Sequence, residues 1–504
     1  MTSLRFKAAL IPATATLILA GCRVGPAYHQ PTATAQAPPA AYKEAPADTQ
    51  AVGDWKVAQP QDAMLHGKWW EVYNEPDLND LEEKLNINNQ NIKEYFNNFM
   101  EARTLIAQAR SQLYPTLTTG PSYSRTHTSA NLGSGFAGGN AAGAQSSLTS
   151  LPLTASWEPD LWGRVRNTIR EEQYNAQLSA ADLENERLTE QATLAEVYFE
   201  IRGQDALIDL YTATVKAYEK QVDVTRGGYE TGVSDQISLV EAQTTLQTAQ
   251  ASLTNLGVAR AQDEHAIAML IGTLASDFSL PKKSFNSTPP AIPLGVPSKL
   301  LERRPDVAAS ERAMAAANAE IGVAVAAYYP NLTLSAGGGF ESSTLKHLLD
   351  WPSRFWSVGP SVSETIFDAG LRRATVNQYV ATYNADVATY RQTVLTAFQQ
   401  VEDYLAAVRI LSQQMQQLQA AVQSAQKYVE LEKGRYETGV DPYVDLVTAE
   451  TTLLSNQQSL ASLQIQRMTA SVELVQALGG GWDTSQLPTP SDVSKHMGKL
   501  TKDN

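Results

Sequence analysis

Residues that commonly carry out chemistry are few and scattered in this sequence. The six histidines contain no His-Glu-x-x-His pair, and a single cysteine cannot build a cysteine-rich metal site. No Walker A sequence and no nucleophile elbow is present. Gly133–Gly138 matches a dinucleotide fingerprint by letter, but it lies in a Gly-, Ala- and Ser-rich stretch that no helix follows. The sequence therefore predicts no enzyme, no metal site and no cofactor.

Cys22 is the one side chain for which the sequence predicts a covalent modification. Residues 1–21 carry Arg5 and Lys7 before an apolar stretch that runs to Ala20, as in a secretory signal peptide. Leu19-Ala20-Gly21-Cys22 resembles the bacterial lipoprotein box, which implies cleavage before Cys22 and a lipid on its side chain. Such an anchor attaches a chain to a membrane outside the cytoplasm. Ordinary secretion with a chance cysteine is the alternative.

An internal repeat supplies the elements that must position any functional residue. Gly227–Leu246 and Gly434–Leu453 are identical at 12 of 20 positions at an offset of 207 residues. Both segments contain the sequence Tyr-Glu-Thr-Gly-Val. A Pro-rich stretch at 281–297 lies between the copies. The chain is therefore divided into a signal peptide at 1–21, an Ala- and Pro-rich leader at 22–60, a first repeat at 61–280, a linker at 281–297, a second repeat at 298–480 and a polar tail at 481–504.

Each repeat contains a stretch that predicts one very long helix or two stacked helices. Gly163–Arg226 and Leu371–Lys433 contain no proline, and Gly203 is their only glycine after the first residue. Apolar residues between Val376 and Val429 recur about every 3.5 residues, which indicates coiled-coil packing.

A tight turn is predicted at the end of each long helix. Gly232 and Gly439 suit the left-handed residue that follows a helix end. Ser234 in the first copy, and Asp441 with Pro442 at the first helical position in the second, are the predicted N-terminal caps of two return helices.

Two strand pairs are predicted between the helices: 115–124 with 151–161, and 331–340 with 355–367. Leu151–Glu158 and Leu332–Phe340 alternate apolar and polar residues, and segments of about ten such residues suit the wall of a transmembrane barrel. Four strands cannot close a barrel, because single-chain examples begin at about eight. The chain must oligomerise or pack its strands as an ordinary sheet.

The formal charge of −14 and pI near 5.0 disfavour nucleic acid as a partner, because neutralising phosphates requires clustered Lys and Arg. The mature sequence also has no apolar run of about 18 residues.

Several motifs resemble the outer membrane factors, the TolC-like family, and in particular its NodT-type efflux lipoproteins. They are Val24-Gly25-Pro26-Ala27-Tyr28 after the lipoprotein box, Leu300–Asp306 with Ile321-Gly322 downstream, and the paired Tyr-Glu-Thr-Gly-Val hairpins. The resemblance implies a homotrimer with a 12-stranded β-barrel, four strands per chain, continued by a long α-helical coiled-coil tunnel across the periplasm. It also implies a Gram-negative outer-membrane location and a periplasmic adaptor and inner-membrane RND-type pump as partners. The loops Arg125–Leu148 and Glu341–Arg354 would face the exterior.

The second hairpin lies where that family has its periplasmic gate. Asp441, Val444, Asp445 and Thr448 share one face of the starting helix, so three-fold symmetry would turn each into a ring. Carboxylate rings favour cations and make closure sensitive to pH, whereas a valine ring constricts. Asp441 as a plain cap and Val444 as a hairpin core residue are the alternatives.

The turn residues Gly232, Val233, Gly439 and Val440 resemble the tips that meet the adaptor. Turn geometry alone could explain the glycines, but valines exposed on a tip invite a partner.

The resulting functional prediction is passive conduction of drugs, toxic organic compounds or ions through the outer membrane. The exit duct of type I protein secretion and a non-conducting coiled-coil lipoprotein are the alternatives.

Overall fold

The computed structural model describes residues 23–34, 42–44, 67–129, 131, 145–283, 285, 288–292 and 300–495. Most of these residues are helical and a few strands form one sheet, which confirms the predicted mainly α class with a small β portion. Within these residues, no helix is both long enough and apolar enough to span a membrane.

The described helices and strands follow a similar order in the two halves of the chain, with one more strand in the first half and one more short helix at the end of the second. The first half consists of α1 (Pro76–Asn88), α2 (Gln90–Ser111), β1 (Thr116–Thr119), β2 (Ser122–His127), β3 (Gln145–Trp157), α3 (Arg164–Glu230) and α4 (Gln236–Leu270). The second half consists of α5 (Leu300–Arg303), α6 (Pro305–Ala326), β4 (Asn331–Ser342), β5 (Arg354–Ser363), α7 (Leu371–Glu437), α8 (Tyr443–Ala477) and α9 (Pro490–Val493).

The two hairpins match in length, with 67 residues in each of α3 and α7 and 35 in each of α4 and α8. Each long helix is a single helix and therefore reaches about 100 Å at 1.5 Å per residue. Gly203 does not interrupt α3. A Cβ there would lie 2.2 Å from the Ile465 side chain of α8, so this glycine lets the two helices approach closely.

The near-heptad spacing predicted for α7 is confirmed by its burial. Seven of the eight buried residues of α7 lie on the predicted seam, and they include Tyr390, Val401 and Met415. The seam packs against α6 and α8 in a core that also holds Leu300 and Met314.

A second core lies where α1 and α2 pack on α3 and α8. Trp69, Tyr198, Phe199 and Val472 are almost fully buried in it. Arg304, within the Leu300–Asp306 motif, connects the beginning of α6 to the end of α8. Its guanidinium donates to the Ala477 carbonyl at 3.1 Å and pairs with Asp306 at 2.7 Å.

The four predicted strands form one antiparallel sheet in the order β1-β3-β4-β5, with β2 also paired to β3. The prediction of a single strand at 115–124 was wrong, because Gly120 and Pro121 divide it into β1 and β2. Proline has no N–H to donate to β3 at that point.

The predicted loop boundaries were also wrong at the end of the sheet where β2 is connected to β3 and β4 to β5, which we call the loop end. β2 continues to His127, β3 begins at Gln145 rather than Leu151, and β4 continues to Ser342. The Gln145–Ser150 segment is mostly Ser, Thr and Gln, so it lacks the apolar alternation on which the prediction relied. The connections between β2 and β3 and between β4 and β5 are therefore shorter than expected.

Candidate gate, membrane face and anchor

The turns at the hairpin tips have the predicted left-handed glycines. Gly232 and Gly439 both have φ of +74°. Val233 N–H donates to Gly228 O at 2.8 Å and Val440 N–H to Arg435 O at 2.9 Å, which closes each long helix. Val233 is 85% exposed and Val440 65% exposed. In the single chain, both tips thus present an apolar side chain to solvent.

The predicted helix caps were wrong in both copies. In the first, Asp235 rather than Ser234 caps α4, with its carboxylate accepting from Ser238 N–H at 2.8 Å. In the second, Pro442 is the N-cap position of α8, one residue before the helix begins at Tyr443. Asp441 lies outside the helix and binds a different partner.

That partner is Arg435, in the last turn of α7. Its Nη2 donates to Asp441 Oδ1 at 2.8 Å, and its Nε also bonds to this carboxylate. This hydrogen-bonded charge lowers the pKa of Asp441. Glu432 lies one helical turn before Arg435, and its pKa is raised. The largest cause is desolvation, and the hydrogen bond and charge of Asp441 add to it. The tip therefore holds one cation among the carboxylates of Glu432, Asp441 and Asp445.

Sequence reasoning missed Glu432 and Arg435, although the repeat contained a signal. At the offset of 207 residues, Arg435 replaces Gly228 and Asp441 replaces Ser234, so both partners of the ion pair are new in the second hairpin.

The four predicted gate residues lie on the less buried side of their turn and helix. Tyr443 and Leu446 are buried against the first hairpin, with Val222 and Ala242. Val444 and Thr448 are exposed, and Asp441 and Asp445 are partly exposed. Val444 is therefore not a hairpin core residue. The Thr448 hydroxyl donates to Val444 O at 2.8 Å within its own helix.

The sheet has one apolar face and one small polar face. Residues directly opposite one another in antiparallel strands lie on the same face, and the register aligns Ala155, Ala336 and Val358. The apolar face carries Leu117, Leu151, Leu153, Ala155, Trp157, Leu332, Leu334, Ala336, Phe340, Trp356, Val358, Pro360 and Val362, with Thr119 and Gly338 among the exceptions. The opposite face carries mainly small and polar residues, which are Thr116, Thr118, Thr154, Ser156, Asn331, Thr333, Ser335, Gly337, Gly339, Ser357, Gly359, Ser361 and Ser363, with Pro152 and Phe355 as the apolar exceptions.

In the single chain, many of the large side chains of the apolar face lie open to solvent, and the others are half-buried. Trp356 is 77% exposed, Val358 73% and Val362 68%. Among the described residues, β1 and β2 pair only with β3, and β5 pairs only with β4, so both edges of the sheet are open.

The leader, described at residues 23–34, runs along the helices from the end of the sheet where β3 leads into α3, which we call the helix end. Val24 N–H donates to Trp162 O at 3.1 Å, and Asn167 donates to Val24 O at 3.1 Å. Gly25 packs so closely on α6 that a Cβ there would be 2.5 Å from the Gly322 Cα. Two of the motifs that carry the family resemblance are thus in direct contact.

Cys22 and the Gly133–Gly138 motif lie outside the described residues. Within the described part of the chain, no group of three or more His, Cys, Asp or Glu residues could hold a metal ion.

Comparisons with known proteins agree on one family. A family model described as outer membrane efflux protein matches residues 81–273 and 296–480. The solvent efflux pump outer membrane protein SrpC of Pseudomonas putida is 32% identical over 491 residues, which cover 96% of this chain and 100% of SrpC. The toluene efflux pump outer membrane protein TtgC of Pseudomonas putida is 30% identical over 480 residues, which cover 94% and 96%.

Solved structures give the same result. The outer-membrane channel OprN superposes with a TM-score of 0.81 at 26% identity, over 92% of this chain and 100% of that one. The open state of the MtrE outer membrane channel of Neisseria gonorrhoeae superposes with a TM-score of 0.77 at 26% identity, over 91% and 98%.

Proposed function

Because the chain belongs to the outer membrane efflux protein family and is an outer-membrane efflux channel, we propose that three copies form one passive, gated duct. The four strands of each copy would pair edge to edge into a 12-stranded barrel. The long hairpins would continue it as a periplasmic tunnel.

The two-faced sheet with open edges carries this proposal. An apolar face of this size is costly in water, whereas lipid covers it without loss. Unpaired strand edges cannot remain in a bilayer, where each free N–H and C=O must find a partner. Closure by further copies satisfies both requirements and turns the Ser, Thr and Gly face toward an aqueous lumen.

The exposed tips suit contact with a periplasmic adaptor. Val233 and Val440 extend from hydrogen-bonded turns at the end of the hairpins furthest from the sheet. We propose that an adaptor covers these valines and connects the duct to an inner-membrane pump of the RND class, which supplies the energy. Because the similar proteins SrpC and TtgC are named for solvent and toluene efflux, small apolar organic compounds are the substrates to test first.

The charged cluster at the second hairpin supports a gate there. In a trimer, Glu432, Asp441 and Asp445 would form rings of carboxylates, and their mutual repulsion would oppose closure. Arg435 offsets part of this repulsion by pairing with Asp441. We propose that the balance between the carboxylates and Arg435 sets the opening probability, while Val444 narrows the aperture.

The path of the leader supports lipidation of Cys22. Its neighbour Arg23 packs against Gly163, where α3 begins shortly after β3. A lipid on the preceding residue would therefore enter the bilayer beside the helix end of the sheet.

Conductance of the purified protein in planar bilayers, with cross-linking to count the chains, tests the duct. Trimers that conduct stepwise currents are expected. Trimers without conductance would favour a structural spacer, and monomers without conductance would overturn the closed wall.

A further inference from the structure

Two arginines occupy the apolar face of the sheet near its loop end. Arg354 is opposite Phe340, and Arg125 is opposite Ser147, which follows the alternation of Leu151 and Leu153. Both side chains are exposed. Among the described strand residues they are the only Arg or Lys, and the single carboxylate, Glu341, is opposite Ser150 on the polar face. The lipid-facing surface therefore carries positive charge without an opposing acid in the strands.

One aromatic ring contacts Arg354, and another lies two residues from each arginine on the same face of its strand. The Arg354 guanidinium lies 3.8 Å from the centroid of the Trp351 ring. Trp356 is two residues further along the same face of β5, and Tyr123, 65% exposed, is two residues before Arg125 on the same face of β2. Tryptophan and tyrosine concentrate at the depth of the lipid headgroups. These rings thus mark the boundary between hydrocarbon and water at the loop end.

Arginine at this depth suits the phosphate groups of lipid headgroups. Its planar guanidinium donates two parallel hydrogen bonds to a phosphate, and stacking on an aromatic ring holds it in place. The cost of a cation on the lipid face is high at mid-membrane but falls near the interface.

We propose that Arg125 and Arg354, framed by Tyr123, Trp351 and Trp356, bind the phosphate groups of a phosphorylated lipid in the outer leaflet. The inference rests on the proposed membrane wall, because that orientation places the loop end of the sheet outside. In a Gram-negative outer membrane, lipid A of lipopolysaccharide presents such phosphates at the outer surface. The bound lipid would orient each chain in the membrane and cover the apolar face.

The test uses full-length trimers and diphosphoryl lipid A in mixed micelles, with dephosphorylated lipid A as the matched probe. Arg125→Gln with Arg354→Gln should weaken binding of diphosphoryl lipid A by about fivefold for each arginine, or roughly 25-fold together. Replacing both with lysine should restore part of the affinity, since the charge remains. Lys216→Gln with Lys220→Gln, on an exposed stretch of α3 far from the sheet, removes the same charge and should change nothing.

Three outcomes would each overturn the proposal. They are wild-type affinity in the double glutamine variant, equal binding of the dephosphorylated probe, and an equal loss of affinity in the Lys216→Gln, Lys220→Gln control. Conductance in planar bilayers is recorded on the same preparations. Wild-type trimers that conduct but do not bind lipid A would refute the phosphate site and leave the duct intact, whereas absent conductance would count against the duct itself.

Discussion

Val358→Arg tests which face of the sheet meets lipid. Val358 is near the middle of the ten-residue strand β5, which spans about 33 Å along its axis. On the apolar face its neighbours are Ala336 and, one strand further, Ala155. Arginine at the midplane of a barrel wall costs about 2–4 kcal/mol. The folding equilibrium should therefore fall roughly 30-fold to 1,000-fold per chain, with three substitutions in each trimer.

Ser357→Arg is the matched control, because it moves the same side chain by one residue to the other face. Ser357 is opposite Gly337 on the polar face, where the proposed lumen is aqueous. The cost should stay below about 1 kcal/mol, as for most surface substitutions. In a trimer, the three arginines at position 357 would form a positively charged ring in the lumen, which should reduce cation conductance.

Urea unfolding of each variant from lipid vesicles gives the free-energy difference, and planar bilayers give the conductance. Equal destabilisation by both substitutions, or greater destabilisation by Ser357→Arg, would refute the assignment of the faces and with it the proposed barrel wall.

Four further predictions concern the gate, the anchor and the core. Arg435→Gln should increase the opening frequency in bilayers by removing the cation from the carboxylate rings, whereas Asp441→Ala with Asp445→Ala should decrease it; the opposite order would refute control by repulsion. Opening should also decrease as the pH falls below neutral, because the raised pKa of Glu432 makes this group take up a proton before Asp441, whose pKa is lowered, and a flat pH profile would exclude Glu432 from gating. Cys22→Ala should give a chain that carries no lipid in mass spectrometry and that fractionates less with outer membranes. A wild-type chain whose mass includes no added lipid would show that Cys22 is not modified. Asp205→Ala should destabilise the fold by about 3–5 kcal/mol in urea unfolding, because it leaves the buried guanidinium of Arg202 and the Arg260 guanidinium without their shared carboxylate, and a loss below about 1 kcal/mol would contradict this role.

Features with many repeated signals were predictable from the sequence. The length of α7 and its buried seam follow from apolar spacing over more than fifty residues, and the first copy repeats the pattern. The two-faced character of the sheet follows from alternation at Leu151–Trp157 and Leu332–Phe340. In these elements, local propensity and burial favour the same structure, so neighbouring residues support one another.

Features that depend on one contact between distant or irregular positions were not predictable. Asp441 before Pro442 has the pattern of a cap, yet a nearby guanidinium competes for the carboxylate and binds it instead. Ser234 also had a cap's residue type, but Asp235 occupies the geometry that reaches Ser238 N–H. A single residue decides each case, and sequence spacing does not specify which donor a short side chain will reach.

The comparison of the two hairpins suggests a different function for each repeat. Turn glycines, exposed valines and helix lengths are the same in both, so the fold and the tip surface do not distinguish them. The ion pair does, because Gly228 and Ser234 in the first hairpin correspond to Arg435 and Asp441 in the second. A turn that closes with glycine and serine needs no ion pair for its geometry. The turn geometry that both hairpins share therefore does not require the ion pair, and we propose that it acts in gating; in a trimer it would occur at every other hairpin around the ring. Such alternation would let one set of hairpins respond to charge and pH while the other set keeps the tunnel wall in place.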